Sequence, residues 1–150
     1  MSDKLRELVV GIDAGLETGI GIFDPQTQKL FAVHTTDFFG AEEYLNVLTR
    51  TARLRIFLEV PPAFVYARNA GQSGAVRDKH AINIGGNRRE AQLLSKLLKR
   101  AGFDVTEVPP VRQLKWTADQ FKRHLQTDLR SNQHERDAAR LAYVNAGRRK

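Results

Sequence analysis

Two apolar stretches of this sequence each carry an acidic residue at their end. Asp13 closes the run from residue 7 to 13, and Glu59 lies near the end of the run from 55 to 60. An unpaired ionised carboxylate is among the costliest groups to take out of water. An acid at the end of a buried strand therefore requires a positive partner, and the two positions indicate carboxylates with a chemical role.

A third acid and a histidine lie near the C-terminus. His134 and Asp137 are three residues apart in a helical pattern and so share one face. That face continues through the apolar Ala138 and Leu141, which indicates that it packs on the sheet. If the strands ending at Asp13 and Glu59 are neighbours, Asp137 approaches both acids. Clustered carboxylates stay ionised only when cations neutralise them, and Mg²⁺ prefers such oxygen ligands.

Each of these residues also has a purely structural interpretation. A strand-terminal aspartate such as Asp13 is often a turn or cap residue. His134 and Asp137 fit an ordinary first helical turn, where negative charge is favourable. Glu59 is harder to explain structurally because the rest of "IFLEV" is apolar. Their joint arrangement across strand, strand and helix favours the metal site.

Composition limits the possible function classes. The chain has 150 residues, the size of one domain. It has no cysteine, which excludes disulfides and thiolate ligands and favours hard cations. The N-terminus carries no apolar signal segment, and no stretch approaches the roughly 18 to 20 apolar residues that span a bilayer. We therefore expect a cytoplasmic protein without a membrane partner.

The positive charge is concentrated in the last quarter of the chain. Of the formal net charge of +7, residues 112 to 150 contribute ten Lys and Arg against four Asp and Glu. A basic surface suits a polyanion such as nucleic acid, because each neutralised phosphate releases counterions. A merely solvated basic face explains the composition about equally well.

The apolar pattern predicts one α/β domain with a five-stranded mixed sheet flanked by helices. The first three strands follow one another through short turns, which requires antiparallel pairing; the turn "AGLETG" contains two glycines that suit a tight hairpin. A helix then leads to the fourth strand, which can pair in parallel with the first. The predicted strands cover 7–13, 19–24, 29–36, 55–60 and 103–108.

The helical patterns are of uneven clarity. The segment 41–52 fits a helix with acids in its first turn, and 87–102 fits one that begins at Asn87, with Glu90 as its capping partner, and ends at Gly102. Between them, 61–86 lacks periodicity and is predicted to be a long functional loop. The stripe from Ala91 to Ala101 suits a core contact or a subunit interface equally. Two more helices are predicted at 118–125 and 132–147, the first opened by a Thr117–Gln120 capping box.

Several motifs in this order resemble the RuvC-type Holliday-junction resolvases, within the ribonuclease H-like nuclease fold. They are "GIDAGLETGIGIFD", "IFLEV" followed by the basic "YARNAGQSGAV", "VRQLKW" and "HERDAARLA". The match runs from about residue 8 to residue 146. Its specificity lies in the order and spacing of the motifs, because "LE" alone is weak.

The resemblance implies a two-metal endonuclease. Asp13, Glu59 and Asp137 match the family's metal-binding carboxylates, and His134 matches a fourth position that some members fill with histidine. His134 would either bind metal or act on the attacking water. Lys115 matches a lysine that contacts the scissile backbone. The implied cofactor is a pair of Mg²⁺ ions, with Mn²⁺ as a substitute, and the implied reaction is phosphodiester hydrolysis.

The resemblance also implies branched DNA, a four-way junction, as the partner, and a homodimer as the acting species; no small-molecule cofactor is expected. Phe64 or Tyr66 would stack on a splayed base. Further candidates for DNA contact are the basic residues of the loop, the next helix and the "VRQLK" segment, which are Arg68, Arg77, Lys79, Arg88, Arg89, Arg112 and Lys115. For each of the loop and helix residues, a solvated basic rim remains an open alternative.

Two departures from the family pattern bear on the substrate. A second lysine common in relatives falls near Gln120, and the segment after Glu59 is longer and contains "PPAF". The compact length suggests a phage-type member. Two alternatives stay open, namely a nuclease of this fold that cuts a flap or an RNA/DNA hybrid, and a non-catalytic nucleic-acid-binding protein. Three retained acids argue against the second, because clustered acids hinder the approach of phosphate.

Overall fold

A computed structural model describes residues 4–62, 74–110 and 114–148, and for 74–86 it describes the backbone alone. Nine elements follow one another in these ranges. They are β1 (Arg6–Asp13), β2 (Thr18–Asp24), β3 (Lys29–Thr36), α1 (Phe38–Leu48), β4 (Ala52–Glu59), α2 (Gly74–Arg100), β5 (Asp104–Val108), α3 (Ala118–Leu125) and α4 (Gln133–Asn145). Within these ranges no helix is long and apolar enough to cross a membrane.

The five strands form one mixed sheet in the order β3-β2-β1-β4-β5. The first three pair antiparallel, while β4 pairs in parallel with both β1 and β5. Because β1 and β4 run the same way, with Ile12 opposite Leu58, their last residues Asp13 and Glu59 emerge at the same edge. The predicted topology and the predicted neighbourhood of the two acids are confirmed.

Helices cover both faces of the sheet. On one face, Leu8, Val10 and Ile12 of β1 join a buried core with α1 and α2. On the other, Val9 and Phe57 pack with α3 and α4. Side chains alternate along a strand. Glu59, two residues after Phe57, and Asp13, four residues after Val9, therefore also face α4.

Glycines let α4 lie directly on the sheet. Gly11 of β1 is paired with Gly21 of β2, and Gly19 is paired with Asp13. A Cβ built on Gly11 would lie 2.0 Å from the carbonyl oxygen of Ala138, and one on Gly19 would lie 2.3 Å from that of His134. The first turn of α4 is thereby brought next to the strand end that carries Asp13. Gly19 is a strand residue, so only Gly15 of the predicted pair belongs to the turn.

Two predicted helices have wrong boundaries. Helix α1 begins at Phe38, with Asp37 as its N-cap, so its acids lie beyond the first turn, and it ends at Leu48. Helix α2 begins at Gly74, so the part 74–86 of the predicted loop 61–86 is helical. Asn87 and Glu90 therefore lie inside α2 and do not cap it.

Other local expectations about the helices are confirmed. Gly102 ends α2 in the left-handed conformation, with φ of 94°. For the stripe on α2, the sequence left a core contact and a subunit interface open, and the structure has the core contact, because Ala91, Leu94 and Leu98 are buried against the sheet. The Thr117–Gln120 capping box is present, and α3 has the predicted bounds.

Candidate metal and nucleic-acid site

The acidic cluster is formed by residues of β1, β4 and α4. The start of α4 is held in place by its capping interactions. Asn132 is the N-cap, and it forms a reciprocal capping box with Glu135. The Asn132 side chain also donates to the Thr35 hydroxyl on β3 at 2.7 Å. These bonds satisfy backbone groups that the first turn would otherwise leave unpaired. They anchor the turn that carries His134 and Asp137 beside the ends of β1 and β4.

Asp13 pairs with His134. The Nδ1 atom of His134 lies 3.2 Å from an Asp13 carboxylate oxygen. Burial raises the pKa of Asp13 above its ordinary value; the hydrogen bond from His134 opposes the rise, and the charge of Asp137 adds to it. The ionised form of Asp13 is therefore disfavoured in this position, and a nearby cation would stabilise it.

Asp137 has polar partners on both carboxylate oxygens. Lys115 Nζ lies 3.2 Å from Oδ2, and the Gln133 amide donates to Oδ1 at 2.7 Å. The Asp137 side chain is 18% exposed, while that of Lys115 is 70% exposed. An exposed lysine that reaches a half-buried acid places a positive charge at the mouth of the site, where a phosphate would approach.

Glu59 completes the cluster. Burial raises the pKa of Glu59, and the charges of Asp13 and Asp137 raise it further. The charges of Lys115 and Arg140 act in the opposite direction. The three acids are thus close enough to repel one another, and each is opposed by a cationic or polar side chain of this chain.

The donor set suits a hard divalent cation. Asp13, Glu59, Asp137 and the His134 imidazole line the same cleft, as does the exposed Glu17. The repulsion among the first three acids is the condition that a bound cation relieves. In the ranges the structure covers, no group of three or more His, Asp or Glu side chains is arranged to hold a metal ion. His134 and Lys115 each lie beside a carboxylate oxygen, of Asp13 and of Asp137 respectively, that a metal ion could use. The chemistry fits a metal that displaces these partners.

The cleft itself has a volume of about 700 Å³ and includes all five predicted catalytic residues, Asp13, Glu59, Lys115, His134 and Asp137. Asn87 of α2 lines it too. Arg88 and Arg89 follow Asn87 on the same helix but are not among the lining residues. For Arg77 and Lys79 only the helical backbone is described. The candidates Phe64, Tyr66, Arg68 and Arg112 lie outside the described residues.

Asn87 and Arg140 are among the cleft residues that were not anticipated from the sequence. Asn87 was assigned to a helix cap, which hid its place on the cleft wall. Arg140 is three residues after Asp137, so helical spacing puts both on one face. That signal was present in "HERDAARLA" and could have identified Arg140 as a neighbour of the acids.

A pH experiment tests the raised pKa of Glu59, which burial and the neighbouring acids cause. A carboxyl group whose folded pKa is raised destabilises the fold when ionised, so stability is gained as pH falls through the folded value toward the ordinary 4.5. We expect Glu59→Gln, in EDTA, to raise Tm at pH 7 and to reduce its rise on acidification. The measurement is Tm between pH 7.5 and 5. The exposed Glu43→Gln is the control, and equal pH profiles for wild type and Glu59→Gln would contradict the raised pKa of Glu59.

Comparisons with known proteins concern the fold. Neither protein-family models nor curated protein sequences give a match to this chain. RuvC of T. thermophilus, solved in complex with a Holliday junction substrate, has a TM-score of 0.54 and 14% identity, over 93% of this chain and 92% of that one. The large terminase nuclease of the thermophilic phage G20c has a TM-score of 0.37 and 15% identity, over 93% of this chain and 82% of that one. With its mixed sheet and flanking helices, the chain has the ribonuclease H-like fold that RuvC has.

Proposed function

We propose that this chain is a Mg²⁺-dependent endonuclease that resolves four-way DNA junctions by two-metal phosphodiester hydrolysis. The observation that carries the proposal is the convergence of Asp13, Glu59 and Asp137, from two strands and a helix, on one cleft. A structural role does not explain three acids that meet at one point, where burial and the neighbouring acids raise the pKa of Asp13 and Glu59. Clustered acids with perturbed pKa values in a cleft are typical of functional sites.

Each residue of the cleft has a role in this proposal. Asp13, Glu59, Asp137 and His134 would hold the metal ions, which supply water activation and leaving-group stabilisation when bound. His134 holds Asp13 in place through Nδ1. Lys115, exposed beside Asp137, would bind the scissile phosphate once its carboxylate partner is taken by a cation. The neutral Asn87 offers a hydrogen bond at the wall without adding to the repulsion of DNA.

The DNA-binding part of the proposal includes residues that do not line the cleft. Arg88 and Arg89 would hold backbone phosphates next to Asn87. The candidates outside the described residues or described by backbone alone keep their proposed roles: phosphate contact for Arg68, Arg77, Lys79 and Arg112, and base stacking for Phe64 or Tyr66. A homodimer would present two clefts to the two strands of equal polarity in a junction.

The test is cleavage of a labelled synthetic four-way junction, beside linear duplex, flap and RNA/DNA hybrid of the same sequence. We expect paired, symmetric nicks on the junction with Mg²⁺ or Mn²⁺, and none with EDTA. RuvC, whose fold this chain shares, was solved with such a junction, which motivates the choice of substrate. Sedimentation of the protein with and without junction measures the proposed dimer.

Other outcomes assign other functions. Cleavage of flap or hybrid in place of the junction would keep the metal site and reject the junction specificity. Tight binding of DNA without cleavage under any divalent metal would reject the enzyme and leave a nucleic-acid-binding protein of this fold.

A further inference from the structure

The segment that carries Lys115 has no regular structure of its own. It lies between β5 and α3, and residues 114 to 117 are in neither helix nor strand. Leu114 is 93% exposed, so burial of its side chain does not hold it in place. Yet Lys115 must keep its ammonium beside Asp137 if it is to meet a phosphate there. Something else must hold the segment.

Arg140 of α4 holds the segment on one side of Lys115. Its Nη1 atom donates to the Leu114 carbonyl oxygen at 2.7 Å. The guanidinium carbon also lies over the Trp116 ring, 5.4 Å from the centroid. Arg140 is only 7% exposed, and a planar guanidinium buried in this way loses little freedom when it makes both contacts. One side chain thus contacts both neighbours of Lys115.

Arg136, one helical turn earlier, holds the other side. Its Nε atom donates to the Trp116 carbonyl oxygen at 3.2 Å, and Nη1 donates to the Ser131 carbonyl oxygen at 2.7 Å. Its Nη2 atom donates to Gln133, whose amide in turn donates to Asp137. Arg136 therefore connects the backbone beside Lys115 to the acid that Lys115 contacts.

We propose that Arg136 and Arg140 form a clamp, built into α4, that positions Lys115 over the carboxylate cluster. The carbonyls on both sides of Lys115 are each bonded to an arginine, and the two arginines are four residues apart on the helix that also carries Asp137. Both hydrogen bonds come from α4, the helix that carries Asp137, so they hold the backbone around Lys115 relative to that acid. Both arginines are positioning residues: they act on the reaction through Lys115.

The functional part of this inference rests on the proposed nuclease activity, but the position of Lys115 can be measured without it. Trp116 is the only tryptophan in the chain, so its fluorescence reports on the clamped segment. In EDTA, we expect Arg140→Met to increase acrylamide quenching of Trp116 and to raise the rate at which an acetylating reagent labels Lys115. The Lys122 amine, exposed on α3, is the internal reference for labelling. Arg53→Met, exposed on β4, is the matched control variant.

The second arm uses cleavage and a double-mutant cycle. We expect Arg140→Met to slow cleavage about 10- to 100-fold, the scale of a misplacement by about 1 Å. If Arg140 acts through Lys115, it should cost little more in a Lys115→Ala background, so the two effects should be far from additive. Arg140→Lys keeps the positive charge near Glu59, but its amine cannot contact the Leu114 carbonyl and the Trp116 ring together. We therefore expect it to show the same increased quenching and slower cleavage as Arg140→Met.

Three outcomes would overturn the clamp: unchanged quenching and labelling in Arg140→Met, additive effects in the cycle, or full rescue by Arg140→Lys. Arg136→Met provides the second variant if Arg140→Met does not fold, and the same changes are expected of it. If wild type cleaves no substrate, the proposed function fails while the quenching and labelling results still decide whether the arginines hold Lys115.

Discussion

Asp13→Asn should abolish cleavage, lowering the rate at least about 10³-fold, the scale expected when a transition-state charge partner is lost. An amide keeps the size of the side chain but removes the charge that a metal ion requires. The same substitution should leave the protein folded. Because burial and the charge of Asp137 raise the pKa of Asp13, the ionised acid destabilises the fold at neutral pH. Removing it should keep Tm in EDTA equal to or above the wild-type value.

This pairing of lost activity with retained stability separates a site residue from a structural one. The measurement combines junction cleavage with thermal denaturation, with and without Mg²⁺. A ligand that binds only the folded state at ten times its Kd stabilises it by about 1.4 kcal/mol, so Mg²⁺ should raise the wild-type Tm and leave that of Asp13→Asn almost unchanged. Asp128→Asn, exposed on a loop, is the control. A large drop in Tm for Asp13→Asn in EDTA would show that Asp13 is a structural cap.

The position of the acids could be predicted because it follows from local rules. Short turns require β1, β2 and β3 to be antiparallel, and a crossover helix allows β4 to pair in parallel with β1. Parallel neighbours end at one edge, so Asp13 and Glu59 had to meet there. The helical spacing of His134 and Asp137, with Ala138 and Leu141 on the same side, placed them against that edge.

The start of α2 could not be predicted, because the local signals point elsewhere. The helix interior contains Gly85 and Gly86, which have low helix propensity, and Asn87 with Glu90 imitates a helix start. The Arg136 and Arg140 contacts were hidden for another reason. They join α4 to a segment 20 and 26 residues away that has no periodic pattern, and only the folded chain brings the two together.

We expect Gly11→Ala to be the most destabilising glycine-to-alanine substitution in the sheet. Its Cβ would lie 2.0 Å from the Ala138 carbonyl oxygen and 2.7 Å from the Ala142 nitrogen, both backbone atoms in the middle of α4. Backbone cannot move aside as a side-chain end can, so the helix must shift off β1. We expect the free energy of unfolding to fall by about 3 kcal/mol or more, the upper range for overpacking.

The effect should reach the site, because Asp137 is adjacent to the displaced Ala138. At a temperature where Gly11→Ala is still folded, junction cleavage should fall along with stability, unlike in Asp13→Asn, where only cleavage falls. Urea denaturation gives the free energy, with Gly147→Ala as the control, since a Cβ there meets no atom within 4 Å. An unchanged urea midpoint for Gly11→Ala would mean that α4 does not lie on β1 as closely as the structure has it. In that case the placement of Asp137 beside Asp13 and Glu59 would lose its support, because that placement depends on the contact of α4 with β1.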